Sequence, residues 1–87
     1  MKKRKEFSGA NIISAAISDT GSKGGDAGHG CHVQLTFNDI SATDWEIRLW
    51  HDKGHLECVT LDFYGDSERK TLIEALEFFL TELKSNP

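Results

Sequence analysis

The fold of this chain is decided where the period of its hydrophobic residues changes, in the stretch Leu56-Glu-Cys-Val-Thr-Leu-Asp-Phe-Tyr-Gly-Asp-Ser-Glu-Arg-Lys-Thr-Leu-Ile-Glu-Ala-Leu-Glu-Phe-Phe-Leu-Thr-Glu-Leu83. Its first part alternates apolar and polar residues, which is the period of a half-buried β-strand. Its second part repeats apolar residues at steps of four, three and four, which is the period of one helix face. The sequence therefore predicts a strand at 56–64 and a C-terminal amphipathic helix that begins near Asp66.

Three further segments have the composition and alternation of strands, and they precede this stretch. They are residues 10–18, 31–40 and 45–50. With the strand at 56–64 they predict one α+β domain: a four-stranded antiparallel sheet in the order ββββα, with the helix packed on one face. The expected core is Val33, Leu35, Phe37, Ile47, Val59 and Leu61.

The register between the last two predicted strands follows from the length of their loop. A three-residue loop, Asp52-Lys53-Gly54, places Ile47 opposite Val59 and keeps the apolar faces together. In that register Trp50 lies opposite Leu56, and Arg48 lies opposite Cys58.

The charge of the chain is unevenly distributed. The 87 residues have a formal net charge of −4, yet residues 2–5 are all basic. We expect residues 1–9 to be a disordered basic tail and residues 10–87 to form a single acidic domain. An acidic body repels phosphate, so nucleic-acid binding is not expected, except through the tail residues Lys2, Lys3, Arg4 and Lys5.

No stretch of the sequence is apolar and long enough to span a bilayer, and the first residues lack the continuous apolar region of a signal peptide. We therefore expect a cytoplasmic protein without a membrane partner.

Residues 19–30 contain five of the chain's eight glycines and no bulky apolar side chain. This composition predicts a mobile loop that is available to a partner. The ordered spacing of a phosphate-binding loop is absent, because Lys23 precedes its glycines and a strand follows.

The face of the predicted sheet that the single helix leaves uncovered is the first candidate site. Tryptophan, tyrosine and arginine with an aliphatic neighbour are the residue types that anchor protein interfaces. The predicted partner-binding residues are Arg48, Trp50, Leu56 and Tyr64.

A metal site is the second candidate. The predicted register places His51 and His55 opposite each other, at a separation where two imidazoles share a transition metal. Further ligands would come from His29, His32 and the cysteines Cys31 and Cys58. The alternative is two exposed histidines beside a turn.

No paired acid and base or activated nucleophile is apparent, so we expect no enzyme and no catalytic residues. The sequence favours a small acidic protein-binding domain of inhibitor, immunity or accessory type, or a homodimer. It would use the uncovered sheet face and the glycine-rich loop. The alternative is a metal-binding domain.

Overall fold

The computed structural model describes residues 1–49, 52–54 and 56–86. The elements within these ranges are β1 (Lys2–Ser8), β2 (Ile12–Asp19), a 3-10 turn (Ala27–His29), β3 (His32–Ser41), β4 (Ile47–Leu49), β5 (Asp52–Gly54), β6 (Cys58–Tyr64) and α1 (Asp66–Ser85).

The predicted fold class is confirmed. Strands β1, β2, β3 and β6 form a four-stranded antiparallel sheet in that order, and one helix follows at the C-terminal end of the chain. The molecule is therefore an α+β protein. No helix in the described part of the chain is long and apolar enough to cross a membrane.

The prediction of a disordered basic tail is wrong. Residues 2–8 form β1, which pairs with β2 along its whole length, from Lys2 opposite Ser18 to Ser8 opposite Ile12. Every residue of β1 is exposed, and a charged strand at the edge of a sheet resists pairing with other chains. The sequence concealed this strand because four consecutive basic residues mask the alternation.

The predicted register of the third hairpin is also wrong. Segment 47–49 pairs with β5 in a separate two-stranded sheet, with Arg48 opposite Lys53 instead of Cys58. Residues 52–54 are thus a strand and not a loop. Apolar alternation shows which side chains share a face, but it leaves open which strand is the neighbour.

The strand beside β6 in the main sheet is β3. Two polar pairs join them across one face: Gln34 Nε2 donates to Asp62 Oδ1 at 3.2 Å, and the Thr36 and Thr60 hydroxyls are 3.1 Å apart. The grouping of these side chains on one face agrees with the alternation in the sequence.

The chain divides into two compact units, Met1–Asp19 with Gln34–Asp62 and Thr20–Val33 with Phe63–Pro87. The buried apolar side chains of the described residues are Cys31 and Val33, both in the second unit. Phe37 and Leu61, which the sequence assigns to the core, are exposed.

Candidate functional site

The glycine-rich loop and the start of α1 are joined within the second unit by the side chain of Asp66. Its carboxylate accepts backbone N–H groups from Gly24 at 2.7 Å, from Lys23 at 3.1 Å and from Cys31 at 3.0 Å. In return the Asp66 backbone N–H donates to the Gly25 carbonyl oxygen at 3.0 Å. The loop thus forms an anion-binding arrangement of N–H groups, and the anion is a carboxylate of the same chain.

These hydrogen bonds change the acidity of the carboxyl group. The N–H groups of Lys23 and Gly24, with smaller contributions from Cys31 and Gly25, hold the pKa of Asp66 below its ordinary value of 3.8. Partial loss of hydration acts in the opposite direction and is the weaker effect. Asp66 is therefore stabilised in its charged form.

The first turn of α1 is capped from the loop. The N-cap residue is Gly65, which has φ +112° and makes no side-chain cap. Asp26 supplies the missing acceptor, because the Ser67 N–H donates to its Oδ1 at 3.2 Å. The residue that caps the first turn thus lies 41 positions before Ser67 in the chain.

Two glycines allow the loop to pack closely on itself and against the start of α1. A Cβ atom on Gly30 would lie 2.2 Å from the Gly25 carbonyl oxygen and 2.7 Å from the Gly65 Cα. A Cβ atom on Gly25 would lie 2.7 Å from the His29 carbonyl oxygen. Any larger residue at these positions would force the backbone apart.

The two cysteines differ in environment. Cys31 is buried, and its thiol donates to the Gly65 carbonyl oxygen at 3.2 Å, whereas Cys58 is exposed. His32, next to Cys31, stacks on Tyr64 with ring centroids 4.6 Å apart and planes inclined by 10°. Cys31 and His32 therefore both contact the chain around the end of β6.

The predicted partner-binding residues were grouped by a register that the structure does not have. Arg48 lies in β4 and pairs with Glu46 at 2.9 Å, while the Leu56 carbonyl accepts the indole N–H of Trp45 at 2.8 Å. Tyr64 ends β6, and Trp50 lies outside the described residues. Leu56 and Tyr64 are exposed, so their contact with a partner stays a prediction.

The metal prediction rests on His51 and His55, which also lie outside the described residues. Within the described ranges, no group of three or more histidine, cysteine, aspartate or glutamate side chains could hold a metal ion. The metal site therefore stays a prediction.

The helix α1 carries a row of exposed apolar side chains. None of its 20 residues is buried. Leu76, Phe79 and Leu83, which follow one another at steps of three and four, are 46%, 59% and 74% exposed. With the half-buried Leu72 and the adjacent Ile73 and Leu80 they form what we call the apolar stripe.

An open groove of about 660 Å³ lies along the end of this stripe, and Phe79 and Leu83 line it together with Glu82 and Asn86. The sequence predicts the stripe correctly from its period, and we expect from it that the helix packs on one face of the sheet. Whether the stripe is buried or exposed depends on which other segments pack against it. The period of the apolar residues does not give that information.

Comparison of this chain with protein-family models, with curated proteins and with solved structures finds no match.

Proposed function

We propose that this chain is a non-enzymatic protein-binding domain and that it associates with a second copy of itself through the apolar stripe of α1. The exposure of Leu76, Phe79 and Leu83 carries this proposal. Contiguous exposed apolar side chains are uncommon on monomeric soluble proteins and mark interaction surfaces.

The spacing of the stripe supports a helix as its occupant. Steps of four, three and four between Leu72, Leu76, Phe79 and Leu83 are the steps between successive a and d positions of a heptad repeat. A second copy of α1 supplies the same spacing. An isologous pair of this kind closes on itself and needs no additional surface.

The distribution of charge also permits a second copy. The net charge of −4 repels two chains in general, but no charged residue lies between positions 72 and 83 on the stripe itself. At 100° per residue, Glu74 lies about 160° from Leu76 and about 180° from Leu83, on the opposite side of α1. Glu77 and Glu82 lie at the two borders of the stripe, next to Ile73 and Phe79, where a carboxylate at the edge of an interface stays in contact with water.

The area of the stripe sets the expected strength of the dimer. An apolar side chain of this size contributes roughly 60–120 Å² when it is fully buried, so two copies of the stripe bury on the order of 1,000 Å². This is near the lower limit for a specific interface, which corresponds to weak association. We expect a dissociation constant on the order of micromolar.

The test is the molar mass of the chain in solution as a function of concentration, by sedimentation equilibrium. The mass should rise from the monomer value of 9.7 kDa toward the dimer value as concentration passes through the micromolar range. Leu83→Glu places an unpaired carboxylate in the interface and should weaken association by about tenfold or more.

Phe78→Glu is the matched control, because Phe78 is 60% exposed but lies 100° around the helix from Phe79. It should change the dissociation constant by no more than about twofold, as expected for a residue at the interface rim. A monomeric mass at every concentration would contradict the proposal, and so would equal effects of the two variants. Circular dichroism checks that both variants keep the helix.

A further inference from the structure

A depression of about 310 Å³ lies on the main sheet, within the first unit. Lys2, Lys3 and Arg4 of β1 line one side of it, and Gln34 and Thr36 of β3 line the other. The small side chains of Ala16 and Ser18 from β2 lie between them.

The pairing of the strands explains the shape of the depression. Lys2 is opposite Ser18 and Arg4 is opposite Ala16, so each long cationic side chain stands beside a short one on the same face. On the far side, the hydrogen bond of Gln34 to Asp62 and that of Thr36 to Thr60 hold the two polar side chains in place. Their arrangement is therefore set before any ligand arrives.

The cationic side chains Lys2 and Arg4 retain N–H donors that can bind a ligand. Lys2 makes no ion pair within the described part of the chain. Arg4 pairs with Glu6 through Nη2 at 2.8 Å, which leaves further N–H donors of its guanidinium group. The Arg4 side chain keeps 53% of its exposure, so it can reorient toward an anion.

We infer that this depression binds the phosphate group of a small phosphorylated molecule. A guanidinium and an ammonium group beside amide and hydroxyl groups are the donors that recognise phosphate. The volume corresponds to a small-molecule site at the lower end of its usual range. A polymeric nucleic acid is disfavoured, because the acidic remainder of the chain repels a long line of phosphates.

The experiment uses inorganic pyrophosphate as the probe and the full chain, followed by backbone amide chemical shifts. Saturable shifts are expected at Ala16, Ser18, Gln34 and Thr36, beyond those caused by sodium chloride at the same ionic strength. Arg4→Gln should weaken pyrophosphate binding by about tenfold, since it removes a charge-assisted hydrogen bond.

Lys5→Gln is the matched control, because Lys5 lies on the same strand and carries the same charge but alternates to the opposite face. Its Nζ lies 5.0 Å from the centroid of the Phe7 ring, away from the depression. It should change the affinity by no more than about twofold, the residual effect of a screened distant charge. The absence of saturable shifts would overturn the inference, as would equal losses in the two variants. Tighter binding of a single-stranded oligonucleotide than of pyrophosphate, with the same dependence on Arg4, would overturn the assignment to a small molecule.

Discussion

The carboxylate of Asp66 accepts the backbone N–H of Gly24 at 2.7 Å, and this contact joins the start of the helix to a loop 42 positions earlier in the chain. The same carboxylate also binds the N–H groups of Lys23 and Cys31. A glycine-rich loop commonly offers its N–H groups to a bound phosphate. Here an internal carboxylate occupies them, which gives the loop a structural role.

Replacing Asp66 by Asn should lower the melting temperature. An amide has one acceptor oxygen where the carboxylate has two, and its NH₂ group would face the N–H donors of the loop. Glu68→Gln removes the same charge from the same turn of α1 without touching the loop, and it should have the smaller effect. Thermal unfolding by circular dichroism compares the two variants, and equal shifts would show that only the charge matters.

The stability of the chain should decrease on acidification below about pH 3.8, partly because of Asp66. Its pKa is lower in the folded than in the unfolded chain, so its contribution is fully present above the ordinary value of 3.8 and is lost as the pH falls through the folded value. Urea unfolding of the native chain and of Asp66→Asn across this range measures the contribution. A stability difference between the two that does not change with pH would contradict it.

Gly30→Ala should destabilise the chain by about 1–3 kcal/mol, as expected for an added group in a closely packed site. The new methyl group would overlap the Gly25 carbonyl oxygen and the Gly65 Cα. Gly28 lies two positions earlier in the same loop, and a Cβ there meets no atom within 4 Å. Gly28→Ala should therefore change the free energy of unfolding by less than about 0.5 kcal/mol.

Thiol labelling should distinguish the two cysteines. Cys58 is exposed and should react with an aromatic disulfide reagent in the native state, whereas Cys31 is buried and donates to the Gly65 carbonyl oxygen. We expect Cys31 to react at least about a hundredfold more slowly until the chain is unfolded, because reaction requires access to its thiolate. Mass spectrometry of the labelled chain identifies the site, and equal native rates would contradict this environment for Cys31.

Ser14→Ala should raise the free energy of unfolding by about 1 kcal/mol. Ser14 is buried, and its hydroxyl oxygen has no hydrogen-bond partner in the described part of the chain. Removing the hydroxyl eliminates an uncompensated loss of hydration. Ser8→Ala, on the exposed strand β1, should change stability by less than about 0.5 kcal/mol, and urea unfolding measures both.

Local periodicity was sufficient to predict some elements but not all. The helix and the strands at 31–40 and 56–64 were predicted correctly in type, because their side chains repeat with the period of the element that they form. β1 was missed, since its basic residues resemble a solvated tail.

The candidate sites depended more strongly on tertiary structure. The partner-binding patch of Arg48, Trp50, Leu56 and Tyr64 was deduced from a register that the structure replaces with another pairing. The role of Asp66 could not be deduced, because its partners are backbone groups of a distant loop. Backbone N–H groups have no residue-specific pattern, so no motif reveals them.

The amino-acid sequence by itself determined the α+β class, the helix with its apolar stripe and the alternating faces of the longer strands, since these follow from the period of the side chains along the chain. Only the tertiary structure decided that β3 and not β4 lies beside β6, that Asp66 holds the glycine-rich loop and that the stripe of α1 remains exposed. These features depend on which distant segments meet and on how much area each one covers. A local sequence pattern specifies neither the contacts between distant segments nor the area that they bury.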